Sequence, residues 1–299
     1  MAKDKKLITQ DDIMKALDVV YDKSLDGIPK VSKPIKVLAQ EYLNKYGDKE
    51  IAAKKLISAQ ISKCTTSGFV SGLAGIINLP VAIGADLSVA WYVQMRMIGG
   101  VAYIAGLDLD DDEVQTLAYA CLAGVSVTNL ARKAGIEFGE KYVEGLIKKI
   151  PGELIAKINQ KVGYRFLTKA GTTGTLNLTK LIPGVGAFVG GGFDFAETKI
   201  IANRAYKAFV KGDLTALGDN RKKWFDITDN SKSLLSKIEK QAELMEVPVK
   251  LIPQQGKEHV YLLATDDQFD DIKQEVGDEF KAHKPIVKPK ELNKKLVEN

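Results

Sequence analysis

Residues 64–107 read CTTSGFVSGLAGIINLPVAIGADLSVAWYVQMRMIGGVAYIAGL, and their only charged side chains are Asp86 and Arg96. The first 22 residues carry no charge, and a helix of that length can span a bilayer. Serine, threonine, glycine and alanine dominate this run, however, and Asn78 and Pro80 lie near its end. Because a helix that is apolar all round is buried either in protein or in lipid, we expect a buried helical hairpin, with conditional membrane insertion as the alternative.

Three amphipathic helices are predicted before this hairpin. Asp11 and Asp12 favour the start of the first helix. Pro34 suits the first turn of the second, which ends at Gly47, and Asp48 is expected to cap the third. The residues expected on their apolar faces are Ile13, Leu17, Val20 and Tyr21 in the first helix, and Ile51, Leu56, Ile57, Ala59 and Ile61 in the third.

Two further apolar segments predict helices later in the chain. Residues 114–131 carry no charge and follow the acidic segment 108–113, whose carboxylates suit the first turn of a helix. Residues 181–209 begin with a glycine-rich run and continue as a helix as far as Phe209. Glycines four residues apart allow helix backbones to approach closely. The glycines expected to serve such packing are Gly68, Gly72, Gly75, Gly186 and Gly190.

The sequence changes character near residue 220. Residues 226–245 predict a polar helix, and the segments VPVKLIP and EHVYLLAT, separated by QQGK, predict a β-hairpin. A short acidic helix and a flexible tail are expected to follow. The predicted fold is therefore mainly α: a multi-helix bundle with glycine-rich buried hairpins over 1–219, and a small α+β segment over 220–299.

Residues 141–180 contain eight basic side chains and only two acidic ones, Glu144 and Glu153. Such an excess attracts anionic surfaces. The apolar residues between the bases are mostly aliphatic, which favours an interfacial membrane helix over a nucleic-acid platform with stacking aromatics. A solvated outer face of a packed helix is the alternative. The candidate membrane-surface residues are Lys141, Lys148, Lys149, Lys157, Lys161 and Arg165.

Asp86 and Arg96 stand isolated in an apolar segment, and Asp194 and Arg204 repeat their spacing of ten residues after a second glycine-rich stretch. Charges in such surroundings are costly unless they are paired or functional. They are therefore candidates for binding a ligand, and a buried structural ion pair is the alternative.

The motifs of common catalytic and metal sites fail at specific positions. The run PGVGAFVGGG has Val189 where a dinucleotide fingerprint needs glycine, and no Gly-Lys-Ser/Thr follows it. The acids from Asp108 imitate a calcium loop, but Glu113 replaces its glycine and Tyr119 its final carboxylate. His259 and His283 are the only histidines, and neither has a nucleophilic residue at the spacing of a known catalytic motif. We therefore expect no catalytic residues, metal or cofactor.

Two blocks resemble the EcsC family. SGLAGIINLPVAIGADLSVAWYVQMRMIGGVAYIAGLDLDDDE is similar to the central signature of that family, and LIPGVGAFVGGGFDFAETKIIANRAYKAF to its second block. The resemblance covers about residues 35–215, and Asp194-Phe195 departs from the usual asparagine before an aromatic residue. It implies a helical fold with glycine-rich hairpins in a bacterial or phage setting. It carries over no activity and no catalytic residue.

These features predict a non-enzymatic, peripheral membrane or lipid-associated protein that binds anionic lipid or a hydrophobic ligand between its hairpins. The N-terminus lacks the apolar core of a signal peptide, so we expect a cytoplasmic protein at the inner face of the membrane. Nucleic acid is not an expected partner. The alternatives are an enzyme acting on a lipid-like substrate around the four isolated charges, and a soluble protein-interaction module.

Overall fold

The computed structural model describes residues 8–64, 85–136, 145, 147, 150–170, 195–254, 257–277 and 279–282. The chain divides into two compact units, Met1–Gly218 and Asp219–Asn299. The described part of the first unit is helical, and that of the second combines helices with a three-stranded sheet. The prediction of a mainly α fold with a small C-terminal α+β segment is therefore confirmed. The five packing glycines predicted from the sequence lie outside the described residues.

The described elements are numbered in chain order. The first unit contains α1 (Gln10–Asp26), α2 (Ile35–Tyr46), α3 (Lys49–Cys64), α4 (Ala85–Ala105), α5 (Asp112–Ala123), α6 (Val127–Lys133), α7 (Gly152–Ala170) and α8 (Phe195–Ala205). Helix α8 continues into a π-helical turn, Tyr206–Val210, and a 3-10 turn follows at Leu214–Leu217. The second unit contains β1 (Lys223–Asp226), α9 (Lys232–Leu244), β2 (Val249–Gln254), β3 (Lys257–Ala264) and α10 (Asp266–Val276).

Local signals place the first helices where the sequence predicts them. Thr9 and Asp12 form a capping box at the start of α1, and the apolar face predicted for this helix is buried. Asp48 accepts a hydrogen bond from the Ile51 amide (2.8 Å) before α3. Ile51 itself is 48% exposed, so its predicted place on the buried face is wrong. The buried face begins one residue later, at Ala52, and continues through Leu56.

Helix α4 is the central element of the first unit. Each of its residues from 88 to 98 is buried, and α1, α2, α3, α5 and α8 pack against it. At Gly100 an added Cβ would lie 3.0 Å from both methyl groups of Leu56 and 3.2 Å from Ile35 Cδ1. The absent side chain thus lets α2 and α3 approach α4 closely. Residues 88–105 therefore form a helix buried in protein, as the sequence predicts for the second part of the hairpin.

Helices α5 and α6 form the second apolar segment. Asp112 and Glu113 lie in the first turn of α5, as predicted. Within the residues that the structure describes, no single helix has the length and hydropathy needed to cross a membrane. Helices α5 and α6, which are bent by 113° relative to each other, meet the criteria of length and composition only as a pair.

The second unit is built on an antiparallel sheet with the strand order β1-β3-β2. Strands β2 and β3 form the predicted hairpin, in which Leu251 lies opposite Val260. Helix α9 begins at Lys232, six residues after the predicted helix start. Strand β1 was not predicted, because its four residues are too few to show the alternation of a strand. Its neighbouring residues Trp224 and Phe225 lie on opposite faces of the sheet.

A buried lysine links β1 to the start of α10. Lys223 Nζ lies 2.7 Å from Asp266 Oδ2 and 3.1 Å from Asp219 Oδ2, and all three side chains are nearly inaccessible to solvent. Arg221 also donates to Asp219, through Nε at 2.8 Å and Nη2 at 2.6 Å. The second unit thus contains a network in which one buried ammonium group bridges two carboxylates and Arg221 supplies a second positive charge.

Candidate functional site

Two of the four predicted ligand-binding residues can be described in full. Arg96 on α4 and Arg204 on α8 are both buried. Asp86 lies in the first turn of α4, but its side chain lies outside the described residues, as does all of Asp194. Ten helical positions separate Asp86 from Arg96, or about 15 Å along the axis. A direct ion pair between these two residues therefore does not fit the helix.

Arg96 is 2% exposed and extends from α4 toward the end of α1. Its Nη1 donates to the Ser24 carbonyl oxygen at 2.9 Å, and its Cζ lies 5.7 Å from the centre of the Tyr92 ring. Burial lowers the pKa of Arg96, and Tyr92 partly offsets this effect through its charge and a hydrogen bond. Across the described ranges, no carboxylate forms an ion pair with this guanidinium.

Arg165 and Arg204 meet at the end of α5. Arg165 Nη1 donates to the Gly124 carbonyl oxygen at 2.6 Å and lies 3.5 Å from that of Ala123. Arg204 Nη1 donates to the Cys121 carbonyl oxygen at 3.2 Å. Both guanidinium groups therefore contact the last turn of one helix, although α7 and α8 carry them.

Arg96, Arg165 and Arg204 share one mode of burial: each donates to carbonyl groups at a helix C-terminus. The last four carbonyls of a helix have no partner within it and carry a partial negative charge. A guanidinium supplies both the donors and the charge that these carbonyls favour. Carbonyls at helix ends thus help to accommodate cations in an apolar interior. Arg96 donates to the end of α1 and Arg204 to the end of α5, so the two side chains have different helices as partners.

The predicted basic face is wrong at two positions of α7. Lys157 is exposed, as expected, but Lys161 and Arg165 are buried. The sequence contains the reason, because residues 161 and 165 continue the buried stripe of Leu154 and Ile158 at helical spacings of seven and eleven. Lys141, Lys148 and Lys149 lie outside the described residues.

The buried charges of the first unit all have the same sign. Among its described residues, the buried members of the Asp, Glu, Lys and Arg set are Arg96, Lys161, Arg165 and Arg204. These four side chains lie on three helices, α4, α7 and α8.

Other chemistry is scarce in the described part of the chain. The Cys121 thiol is buried, and this burial raises its pKa to about 12 although Arg204 acts in the opposite direction. It is therefore a protonated core thiol at neutral pH. No group of three or more His, Cys, Asp and Glu side chains among the described residues has the arrangement needed to hold a metal ion.

Both the backbone conformation at position 124 and the close approach of Arg204 favour glycine there. Its φ is +73°, and an added Cβ would lie 3.0 Å from Cζ, Nη1 and Nη2 of Arg204. Substitution of Gly124 with alanine is expected to lower the free energy of unfolding by more than the roughly 1–2 kcal/mol of a left-handed alanine, because Arg204 must also move.

The matched control is Gly135→Ala, which has the same φ and no atom within 4 Å of the added Cβ. Urea unfolding of both variants measures the difference. Equal losses for the two would show that the contact with Arg204 costs nothing to displace.

Comparison with known proteins gives no match. No family model, no curated protein and no solved structure matches this chain. The resemblance to the EcsC family therefore stays a prediction, and the case for function depends on the geometry of the chain itself.

Proposed function

We propose that this chain is a non-enzymatic helical protein that associates with anionic membrane lipid through its first unit. The proposal depends chiefly on one observation: residues 141–180 contain eight basic side chains and only two acidic ones, an excess that attracts an anionic surface. The longer stretch 114–220 contains 14 basic residues in all against eight acidic ones. A surface of phosphatidylglycerol or phosphatidylserine carries the complementary charge.

The α5–α6 pair supports contact with the apolar part of such a membrane. Its residues 114–131 carry no charge, and the two helices together meet the length and composition of a membrane segment. Backbone that leaves water must have its polar groups satisfied within the protein. Arg165 and Arg204 donate to carbonyls at the bend between these helices, so these backbone groups have partners within the protein.

Flotation with liposomes tests the proposal. The full chain is expected to float with vesicles that contain anionic phospholipid and to bind vesicles of phosphatidylcholine alone at least about tenfold more weakly, because several cations contribute roughly 1 kcal/mol each near an anionic surface. High salt is expected to reduce the bound fraction through screening. Failure to float with either type of vesicle would overturn the proposal.

The two alternatives receive less support. An enzyme centred on the four isolated charges needs them in one place, whereas Arg96 and Arg204 donate to carbonyls of different helices. A protein-interaction module would depend on the second unit, and capture of a partner by the chain but not by a variant lacking residues 219–299 would favour it.

A further inference from the structure

We infer that the loop between α1 and α2, residues 27–34, receives the acidic headgroup of a membrane phospholipid, with Arg96 as the buried counter-charge. This inference depends on the proposed function and names the site at which the lipid is bound. Its occupant is the phosphate or carboxylate oxyanion of an anionic lipid at the bilayer surface.

The loop is basic and exposed. Its sequence, GIPKVSKP, contains Lys30 and Lys33 and no acidic residue, and both lysines are exposed. Lys33 forms an exposed ion pair with Glu41, at 2.6 Å, and pairs of this kind contribute little. Val37, in the first turn of α2, is 48% exposed. Two lysines beside an exposed aliphatic side chain suit the interface of an anionic bilayer.

A chain of polar groups leads from this loop to the buried cation. Ser32 is half-buried, and its Oγ lies 2.5 Å from the Tyr92 hydroxyl. The Tyr92 side chain in turn contacts Arg96 through its ring and a hydrogen bond. Ser32 Oγ also accepts a hydrogen bond from the Ile28 amide at 3.0 Å. Two hydroxyl groups therefore stand between the loop surface and the guanidinium. Tyr92 is fully buried, so the half-buried Ser32 hydroxyl is the one of the two that can donate to an oxyanion at the loop, while Tyr92 donates to Ser32.

Arg96 has the donors and the charge for this role. A guanidinium presents five N–H groups in a planar fork that matches phosphate and carboxylate. Its partners in the described part of the chain are the Ser24 carbonyl and the Tyr92 side chain, and neither is a carboxylate. Buried cations are normally compensated by an anion. A lipid headgroup at the loop would supply the missing charge.

The backbone holds the loop in one shape. Gly27 has φ +75° and ψ −175°, and Lys30 adopts φ +67°. The Ile28 and Ser32 main chains form a β-bridge across the loop. These constraints fix Ser32 beside Tyr92, so the loop does not have to be ordered when a headgroup binds, and the entropic cost of binding is small.

Co-sedimentation of the full chain with phosphatidylglycerol-containing vesicles tests the site. The variant Lys30→Gln/Lys33→Gln is expected to bind about tenfold or more weakly, since each lysine near an anionic surface contributes roughly a fivefold effect. The matched control is Lys237→Gln/Lys240→Gln, which removes the same charge from exposed positions on α9. Its affinity is expected to stay within about twofold of wild type, allowing for a small long-range effect of net charge.

Tyr92→Phe tests the buried part, because it removes one hydroxyl and keeps the ring that packs against Arg96. We expect weaker vesicle binding by this variant while its thermal unfolding midpoint in the absence of lipid changes little. Arg96→Lys keeps the charge but loses the planar fork, and it is expected to weaken vesicle binding also. Unchanged affinity in all three site variants would overturn the inference while leaving vesicle association by the wild-type chain, and hence the proposed function, intact.

Inorganic phosphate separates the two sources of the oxyanion. If phosphate alone raises the unfolding temperature of the wild-type chain but not of Tyr92→Phe, and wild type does not bind the vesicles, the site takes a free anion and the lipid assignment is wrong. Equal losses of affinity in the loop variant and the α9 control would also overturn the inference, since binding would then follow net charge alone.

Discussion

Replacing Lys223 with methionine is expected to lower the free energy of unfolding of the second unit by about 3–5 kcal/mol. The lysine is the buried partner of both Asp219 and Asp266, at 3.1 and 2.7 Å. Methionine fills a similar volume but leaves these carboxylates without the ammonium group. Arg221 still pairs with Asp219, so the larger loss is expected at Asp266.

Urea unfolding monitored by hydrogen exchange of the β1 and β3 amides measures this loss. The adjacent Lys222 is exposed, and Lys222→Met provides a control with the same change of charge and type. Adding Asp266→Leu to Lys223→Met is expected to restore part of the stability, because an apolar pair replaces a buried carboxylate that has lost its ammonium partner. A loss below about 1 kcal/mol would show that the network is dispensable.

Substitution of Gly27 with alanine is expected to destabilise the first unit by at least about 3 kcal/mol. Its φ of +75° and ψ of −175° lie in a region that is almost restricted to glycine. An added Cβ would lie 2.4 Å from the Ser32 carbonyl oxygen and 2.6 Å from the Lys33 carbonyl carbon. Both are main-chain atoms, so the loop after α1 must be rebuilt rather than a side chain merely rotated.

Gly47→Ala is the matched control for this position. Gly47 also follows a helix and has φ +70°, but no atom lies within 4 Å of its added Cβ. It is expected to lose only the roughly 1–2 kcal/mol of a left-handed alanine. Urea unfolding of the two variants compares them, and equal losses would show that the close approach of Ser32 and Lys33 relaxes without cost.

The features predicted well from the sequence depend on neighbouring residues. The start of α1 follows from Asp11 and Asp12, which lie in its first turn. Its buried face follows from the spacing of Ile13, Leu17 and Val20. Both signals are complete within a few residues, so they need no knowledge of the tertiary fold.

The features that were missed depend on distant residues or on short segments. Arg165 is 41 residues from Gly124, and Arg204 is 83 residues from Cys121. No local sequence pattern therefore predicts the hydrogen bonds between these residues. The basic character of α7 predicted exposure, whereas helix-terminal carbonyls provide a buried place for Arg165. Strand β1 has only four residues, and it is a strand because it pairs with β3.

The arginines at the end of α5 have a consequence for the order in which the chain folds during synthesis. A chain leaves the ribosome from its N-terminus, and residues 121–124 therefore emerge well before Arg165 and Arg204. Until α8 has been made, the end of α5 lacks the guanidinium that bonds to the Cys121 carbonyl. The first unit can therefore reach its native packing only after residue 204 has emerged, and α5 must wait for roughly eighty more residues to be translated.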